Sequence, residues 1–283
     1  MEENKLTLKN SALLVSLICN LNCKLCAAYS PYRKSNKFEE VETLMNYIRK
    51  YFDVVDYVEV FAFSGGEPLL YKQLPKLLSE FLKYSDHFGK IEIHANGTIL
   101  PSTELLDIIK TYGDKFKRFL IDNYGEKLST KIPEFTSLLD EYKIPYSVRD
   151  YFSKDMHCSG WIDFGELTQK IHSRDEAAEL FSKCAYPKKM KLCNIIIEGS
   201  VIPCNPIIRR WLDGTADYSE YIDLNDETMS LQEQRSKLSD IQKAEVFCTC
   251  EFCNGLCDDS RRFKPAEQLT AEEIRKIRGA ISE

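Results

Sequence analysis

Cys19-Asn20-Leu21-Asn22-Cys23-Lys24-Leu25-Cys26 sets three thiols close together, directly after the apolar run Leu13-Leu14-Val15-Ser16-Leu17-Ile18. The run reads as a buried strand, so the thiols fall at a strand end. Three thiols cannot close into a self-contained disulfide framework, because the number is odd. Thiolates at this spacing suit iron–sulfur ligation, where each takes one iron of a cubane. Three of them leave a fourth iron open to another ligand. Zinc or three unrelated core cysteines are the competing readings. Structural zinc favours four closed ligands in paired CxxC or His-containing arrangements, and no His lies near this run.

The rest of the composition bears on that choice. A chain of 283 residues with 43% hydrophobic content has material for one large domain and a smaller one. Its net charge of −6 argues against nucleic-acid or anionic-membrane partners. Met1-Glu2-Glu3-Asn4-Lys5 is polar, with no signal-like apolar core, and no apolar run approaches the ~18 residues of a membrane span. A cytoplasmic protein is expected. Eleven cysteines in a reducing compartment call for metal, redox or catalytic roles. They form two fields, Cys19 to Cys26 and Cys184 to Cys257, with Cys158 alone between them.

Residues 11–151 alternate short apolar runs with amphipathic stretches. Strands are predicted at 13–18, 57–63, 90–95, 118–122 and 146–151. Between them, apolar spacing at i, i+3, i+4 and i+7 predicts helices. Val41, Leu44, Ile48 and Phe52 mark the first, and Leu74, Leu77, Leu78 and Phe81 the second. Repeated strand–helix units imply a parallel sheet covered by helices. Five are too few for a closed eightfold barrel, so an open, partial barrel is expected. Chemistry in such folds gathers at the carboxyl ends of strands. There lie the three thiols, then Ser64-Gly65-Gly66-Glu67-Pro68, Asn96-Gly97-Thr98 and Asp122-Asn123-Tyr124-Gly125.

CxxxCxxC after the first strand and Gly65-Gly66-Glu67-Pro68 after the second together resemble the radical S-adenosylmethionine (SAM) superfamily, over roughly residues 11–151. The departure is Leu25, where the family often has an aromatic. The resemblance implies a partial (β/α)6 barrel and a [4Fe–4S] cluster on Cys19, Cys23 and Cys26, with SAM on the fourth iron. Reduction then cleaves SAM to a 5′-deoxyadenosyl radical, which abstracts hydrogen from a substrate. Gly65, Gly66 and Glu67 are implied to bind the SAM amino group, the glycines because a backbone without Cβ admits close approach. Asn96 aligns with a further SAM segment. Arg149 is either a partner for the methionine carboxylate, which a guanidinium fork suits, or a barrel-rim arginine. An electron donor such as a flavodoxin or ferredoxin is implied too.

In the second field, Cys193 to Cys204 reads as a hairpin turning at Glu198-Gly199. Cys184, Gly199 and Cys204, followed by Cys250, Cys253 and Cys257, resemble the SPASM and twitch extensions of radical SAM enzymes. The implied content is at least one auxiliary [4Fe–4S] cluster on Cys184, Cys204, Cys250 and Cys253, with Cys193 and Cys257 as substitutes. Zinc remains the alternative. The expected division is a barrel core at 1–172, a small cysteine-rich auxiliary domain at 173–262 and a C-terminal helix at 263–283. Ser173 with Glu176, and Thr270 with Glu273, read as capping boxes.

Two courses follow hydrogen abstraction in enzymes of this kind. Loss of an electron to the auxiliary cluster gives oxidation or crosslinking, and return of hydrogen from a thiol gives epimerisation. Cys158, on a loop expected to face the barrel mouth, is a candidate hydrogen donor or a plain packing residue. The substrate is a peptide or a small polar molecule. Only about ten residues precede the first strand, too few for the winged-helix recognition domain frequent in peptide modifiers. A non-enzymatic electron carrier or zinc scaffold is the alternative, and a SAM pocket argues against it.

Overall fold

The computed structural model describes residues 5–281. Residues 1–4, most of the polar start read above as lacking a signal-like core, and residues 282–283 lie outside the described part. Four strand–helix steps and a fifth strand open the chain: β1 (Thr7–Leu14), α1 (Val41–Val54), β2 (Tyr57–Ser64), α2 (Leu74–Phe81), β3 (Phe88–Ala95), α3 (Thr103–Tyr112), β4 (Phe116–Asn123), α4 (Ile132–Tyr142) and β5 (Tyr146–Asp150). After them come α5 (Arg174–Lys183), α6 (Ala185–Lys188), β6 (Cys193–Ile197), β7 (Ser200–Ile202), α7 (Asn205–Leu212), β8 (Ile222–Asp223), α8 (Leu231–Lys243) and α9 (Ala271–Ile281).

The strands join one sheet in the order β5-β4-β3-β2-β1-β6-β7-β8, and all pairings from β5 through β6 are parallel. This is the α/β architecture of a partial barrel. Alternation along β2 sends Phe61 and Phe63 to the helices, where Phe61 meets Phe52 of α1 and both meet Phe81 of α2. All four rings are buried, so the helices are held by aromatic packing. The opposite face carries polar groups: Arg118 reaches Glu92 of β3 and Ser147 of β5.

The first strand lies earlier than its apolar run. β1 pairs with β2 in one unbroken register, from Thr7↔Tyr57 to Leu14↔Ser64. Residues 15–18 leave the sheet, and Ser16 and Ile18 accept hydrogen bonds from Gly66 and Glu67 (2.8 and 2.9 Å). Val15 and Leu17 are buried all the same, because this loop runs beneath the site. Apolarity there reports burial rather than strand.

The predicted hairpin forms as β6 and β7, with Ile197 opposite Ser200. Glu198 and Gly199 both have positive φ (46° and 81°), the requirement of a tight hairpin turn whose twist matches the strands. The same β6 is the sixth parallel strand of the barrel, and it stands beside β1 rather than β5. The cysteine-rich region therefore continues the core sheet instead of packing as a detached body. Both expected capping boxes are present, at Ser173–Glu176 and Thr270–Glu273. No helix among the described residues is long and apolar enough to cross a membrane.

Candidate functional site

The three N-terminal thiols sit at the carboxyl ends of the strands and pack as one group with Leu21, Tyr124, Leu128, Trp161 and Ala266. Polar donors reach their sulfurs. Leu21 N and Asn96 Nδ2 donate to Cys19 Sγ (3.4 and 3.6 Å), and Gln268 Nε2 donates to Cys23 Sγ (3.2 Å). Burial pushes the Cys19 and Cys23 thiols up to about 12, so ionising them requires a cationic partner close by. Among the described residues, no three His, Cys, Asp or Glu side chains converge tightly enough to hold a single ion. Thiolates of a cubane each take their own iron and need no such convergence. A donor set of three thiols ringed by N–H groups fits an iron–sulfur cluster.

Gly65 and Gly66 lock the loop that carries these thiols. A Cβ on Gly65, whose φ is +143°, would stand 2.3 Å from Ser16 O, and one on Gly66 would stand 2.2 Å from Ile18 O. The glycines are thus required by the chain's own backbone, where the sequence reading invoked approach of a ligand. Glu67 is 1% exposed. Its Oε1 accepts from Leu69 N (2.9 Å) and its Oε2 from Asn96 N (2.7 Å). Burial still dominates and pushes its carboxyl up to about 7. Asn96 completes the chain of contacts: its Nδ2 reaches both Cys19 Sγ and Asn20 Oδ1, and its Oδ1 accepts from Thr98. Glu67, Asn96 and Cys19 form one connected unit.

Arg149 forks onto Asp122, Nε to Oδ1 at 2.6 Å and Nη2 to Oδ2 at 2.9 Å. Burial opposes its charge, but Asp122 more than offsets that and moves the guanidinium's pKa up. Asp122 also accepts from the Tyr124 hydroxyl (3.1 Å), and Tyr124 stacks on Tyr151 with Trp161 edge-on. Two nitrogens of Arg149 are therefore already committed. Cys158 is exposed on a short turn after β5, with φ at 53° and its carbonyl accepting from Arg262 Nε (3.1 Å).

In the C-terminal field, Cys184, Cys204, Cys250 and Cys253 line one cavity walled by Phe164, Phe181, Tyr186 and Phe247. Burial raises the Cys204, Cys250 and Cys253 thiols, the second up to about 12. Gly255 N donates to Cys253 Sγ at 3.2 Å. Here too the donor set, four thiols in an apolar shell, fits a cluster. Cys193 and Cys257 do not line this cavity; Cys257 lies beside it, with its Sγ toward Leu180 O.

Gln268 was not anticipated from sequence. The C-terminal segment docks on the thiol loop through Lys24 N to Glu267 O (2.8 Å), Leu269 N to Asn22 O (2.8 Å) and Asn22 N to Gln268 Oε1 (2.8 Å). Its only local sign is the capping box that follows, which says nothing about where the segment lies.

Residues 13–122 match the Radical SAM superfamily. The whole fold is similar to the crystal structure of BtrN in complex with S-adenosylmethionine (AdoMet) and 2-DOIA, at 17% identity over 94% of this chain and 100% of that one, with a TM-score of 0.50. It is also similar to anSMEcpe with bound AdoMet and the Cp18Cys peptide, at 15% identity over 98% and 99% of the two chains, with a TM-score of 0.51. At these identities the likeness is one of fold. No curated protein matches the chain in sequence.

Proposed function

We propose that this chain is a radical SAM enzyme that cleaves SAM reductively at a [4Fe–4S] cluster on Cys19, Cys23 and Cys26, then abstracts hydrogen from its substrate. The connected unit Glu67–Asn96–Cys19 carries the reading, since it ties the expected SAM-binding segments to a cluster thiol through direct hydrogen bonds. When bound, the cluster supplies the electron that breaks the SAM carbon–sulfur bond. The protein's part is to hold the thiols with N–H donors, to offer Glu67, the glycine segment and Asn96 as surroundings for SAM, and to exclude water with Tyr124 and Trp161. Arg149 orders Asp122 at the same rim.

A second [4Fe–4S] cluster, on Cys184, Cys204, Cys250 and Cys253, belongs to the same proposal. A direct link favours oxidation over epimerisation as the outcome. Asn205, next to Cys204, donates to the carbonyl of Ala27, next to Cys26, at 2.8 Å. An electron released at the substrate then has a short bonded path between the two thiol sites. The substrate is a peptide or a small polar molecule, as BtrN with 2-DOIA and anSMEcpe with a peptide illustrate on a similar fold. A flavodoxin or ferredoxin supplies the first electron.

The test is anaerobic reconstitution with iron and sulfide, followed by dithionite reduction with SAM. The full chain should release 5′-deoxyadenosine. A Cys19→Ala, Cys23→Ala, Cys26→Ala variant should release none while keeping roughly one cluster's worth of iron. Release of 5′-deoxyadenosine by the variant overturns the N-terminal assignment, and loss of all its iron overturns the second cluster.

A further inference from the structure

The inner face of the barrel is charged where such faces are ordinarily apolar. Register partners in parallel strands share a face, so Ala62 of β2, Glu92 of β3 and Arg118 of β4 lie on one side of the sheet, with Asp122 and Arg149 nearer the rim. The other side holds Phe61, Phe63, Ile91, Ile93, Phe119 and Ile121, all fully buried. Barrel interiors are commonly filled by layers of Val, Ile and Leu. Here ionic side chains stand in their place.

One carboxylate organises the group. Glu92 is 8% exposed and is met by His94 Nε2 (3.0 Å), Lys117 Nζ (3.0 Å) and Arg118 Nε (3.3 Å), while Arg118 Nη1 donates to Ser147 of β5 (3.3 Å). Burial opposes its charge, yet His94 and Lys117 hold the carboxyl down at about 2. Glu92 is therefore ionised, and it is outnumbered. Two fixed cations face it before His94 is counted, in a chain whose net charge is −6. The cations remain accessible, with side chains 28%, 37% and 33% exposed for His94, Lys117 and Arg118. An ammonium has three N–H groups and a guanidinium five, so one carboxylate does not exhaust them. The position also fits the thiol site. β3 runs from Glu92 through His94 and leads straight into Asn96, which donates to Cys19 Sγ. At about 3.3 Å per residue, that is a span of roughly 13 Å, which one small molecule or one acidic peptide segment bridges.

We propose that Lys117 and Arg118, positioned by Glu92, bind an anionic group of the substrate, a carboxylate or a phosphate. The inference rests on the radical SAM reading and narrows its substrate to one that is negatively charged at one end. Anchored there, the substrate presents its other end at the carboxyl ends of the strands, beside the three N-terminal thiols. Glu92 is a positioning residue: it holds two long, flexible cations in place, so that less freedom is lost when the anion arrives.

The test is calorimetric titration of the full chain, reconstituted anaerobically and saturated with SAM, at low salt so that screening is weak. Saturation with SAM keeps the probes away from the rim. Inorganic phosphate stands for a phosphorylated small molecule and N-acetylglutamate methylamide for an acidic peptide side chain, with N-acetylglutamine methylamide as the uncharged control. At least one anionic probe should bind, the control should not, and whichever probe binds names the source of the anion. Its dissociation constant should rise about tenfold in Lys117→Gln and in Arg118→Gln. Lys117 is the most exposed of the three cations, so its variant keeps the test usable if Arg118→Gln misfolds. Binding of neither probe, or binding that the variants leave unchanged, overturns the proposal. Release of 5′-deoxyadenosine by a chain that binds neither probe overturns it alone. A chain that binds a probe as described but releases none overturns the radical SAM reading and keeps the anion site.

Discussion

Replacing Glu67 by Gln measures the charge held inside the candidate SAM site. The carboxyl is 1% exposed, and its two backbone hydrogen bonds do not outweigh burial, so its pKa stands at about 7 against an ordinary 4.5. A folded-state pKa raised above the unfolded one means the folded protein holds the proton longer. The stability it contributes is complete below about pH 4.5 and is lost as pH rises through about 7. At about 1.4 kcal/mol per unit, the full loss is about 3 kcal/mol, of which about 1.4 kcal/mol falls between about pH 6 and about pH 8.5. Gln cannot titrate, so the variant is free of this loss, while every other group cancels in the comparison. At roughly 2–4 °C per kcal/mol for a chain of this size, the melting temperature of wild type minus variant should fall by roughly 3–6 °C over that range. The assay is anaerobic thermal melting of the reconstituted protein without SAM, at one scan rate. Saturating SAM should shrink the pH effect, since an ammonium beside Glu67 favours its charged form. A difference that stays constant with pH would refute the account of a buried, uncompensated carboxyl.

Two further substitutions probe the loop that holds the thiols. Gly66→Ala places a Cβ 2.2 Å from Ile18 O, so the loop at residues 15–18 must move; we expect a loss of about 1–3 kcal/mol in stability and less iron bound at the N-terminal site, read by melting and iron analysis. Gln268→Leu removes the donor to Cys23 Sγ and the acceptor for Asn22 N. It should lower the N-terminal midpoint potential and cost about 1 kcal/mol for the half-buried amide left unpaired; an unmoved potential would reduce Gln268 to a packing role.

Sequence alone gave access to whatever is periodic or locally coded. Phe61 and Phe63 alternate with Ala62 and Ser64, and that pattern alone announces a strand with a helix-covered face. Glu198-Gly199 supplies the two positive φ values of its own turn, so the hairpin was legible residue by residue. The error at the first strand shows the limit of the same logic. Residues 15–18 are as apolar as any strand, but their backbone groups bond to Gly66 and Glu67 instead of a ladder. Long-range pairings were beyond reach. Asp122 claims Arg149 across neighbouring strands, and Gln268 meets Cys23 from the far end of the chain, and no local pattern encodes either. Of the six candidate ligands in the second field, four line one cavity, a grouping that depends on where α5, the hairpin and the segment after α8 converge.

The placement of β6 bears on how the two thiol sites are related. Parallel pairing from Asn10↔Cys193 to Leu13↔Ile196 sets β6 beside the strand that leads into Cys19. Neighbouring strands are only about 4.8 Å apart, and their register is fixed by buried faces. The hairpin then returns through β7 to Cys204, whose neighbour Asn205 bonds to the carbonyl after Cys26. Each site is thus held at the end of a strand in one sheet, and their separation is set by the ladder rather than by the loop-rich connection at residues 152–172. That geometry suits electron transfer, which demands a constant distance.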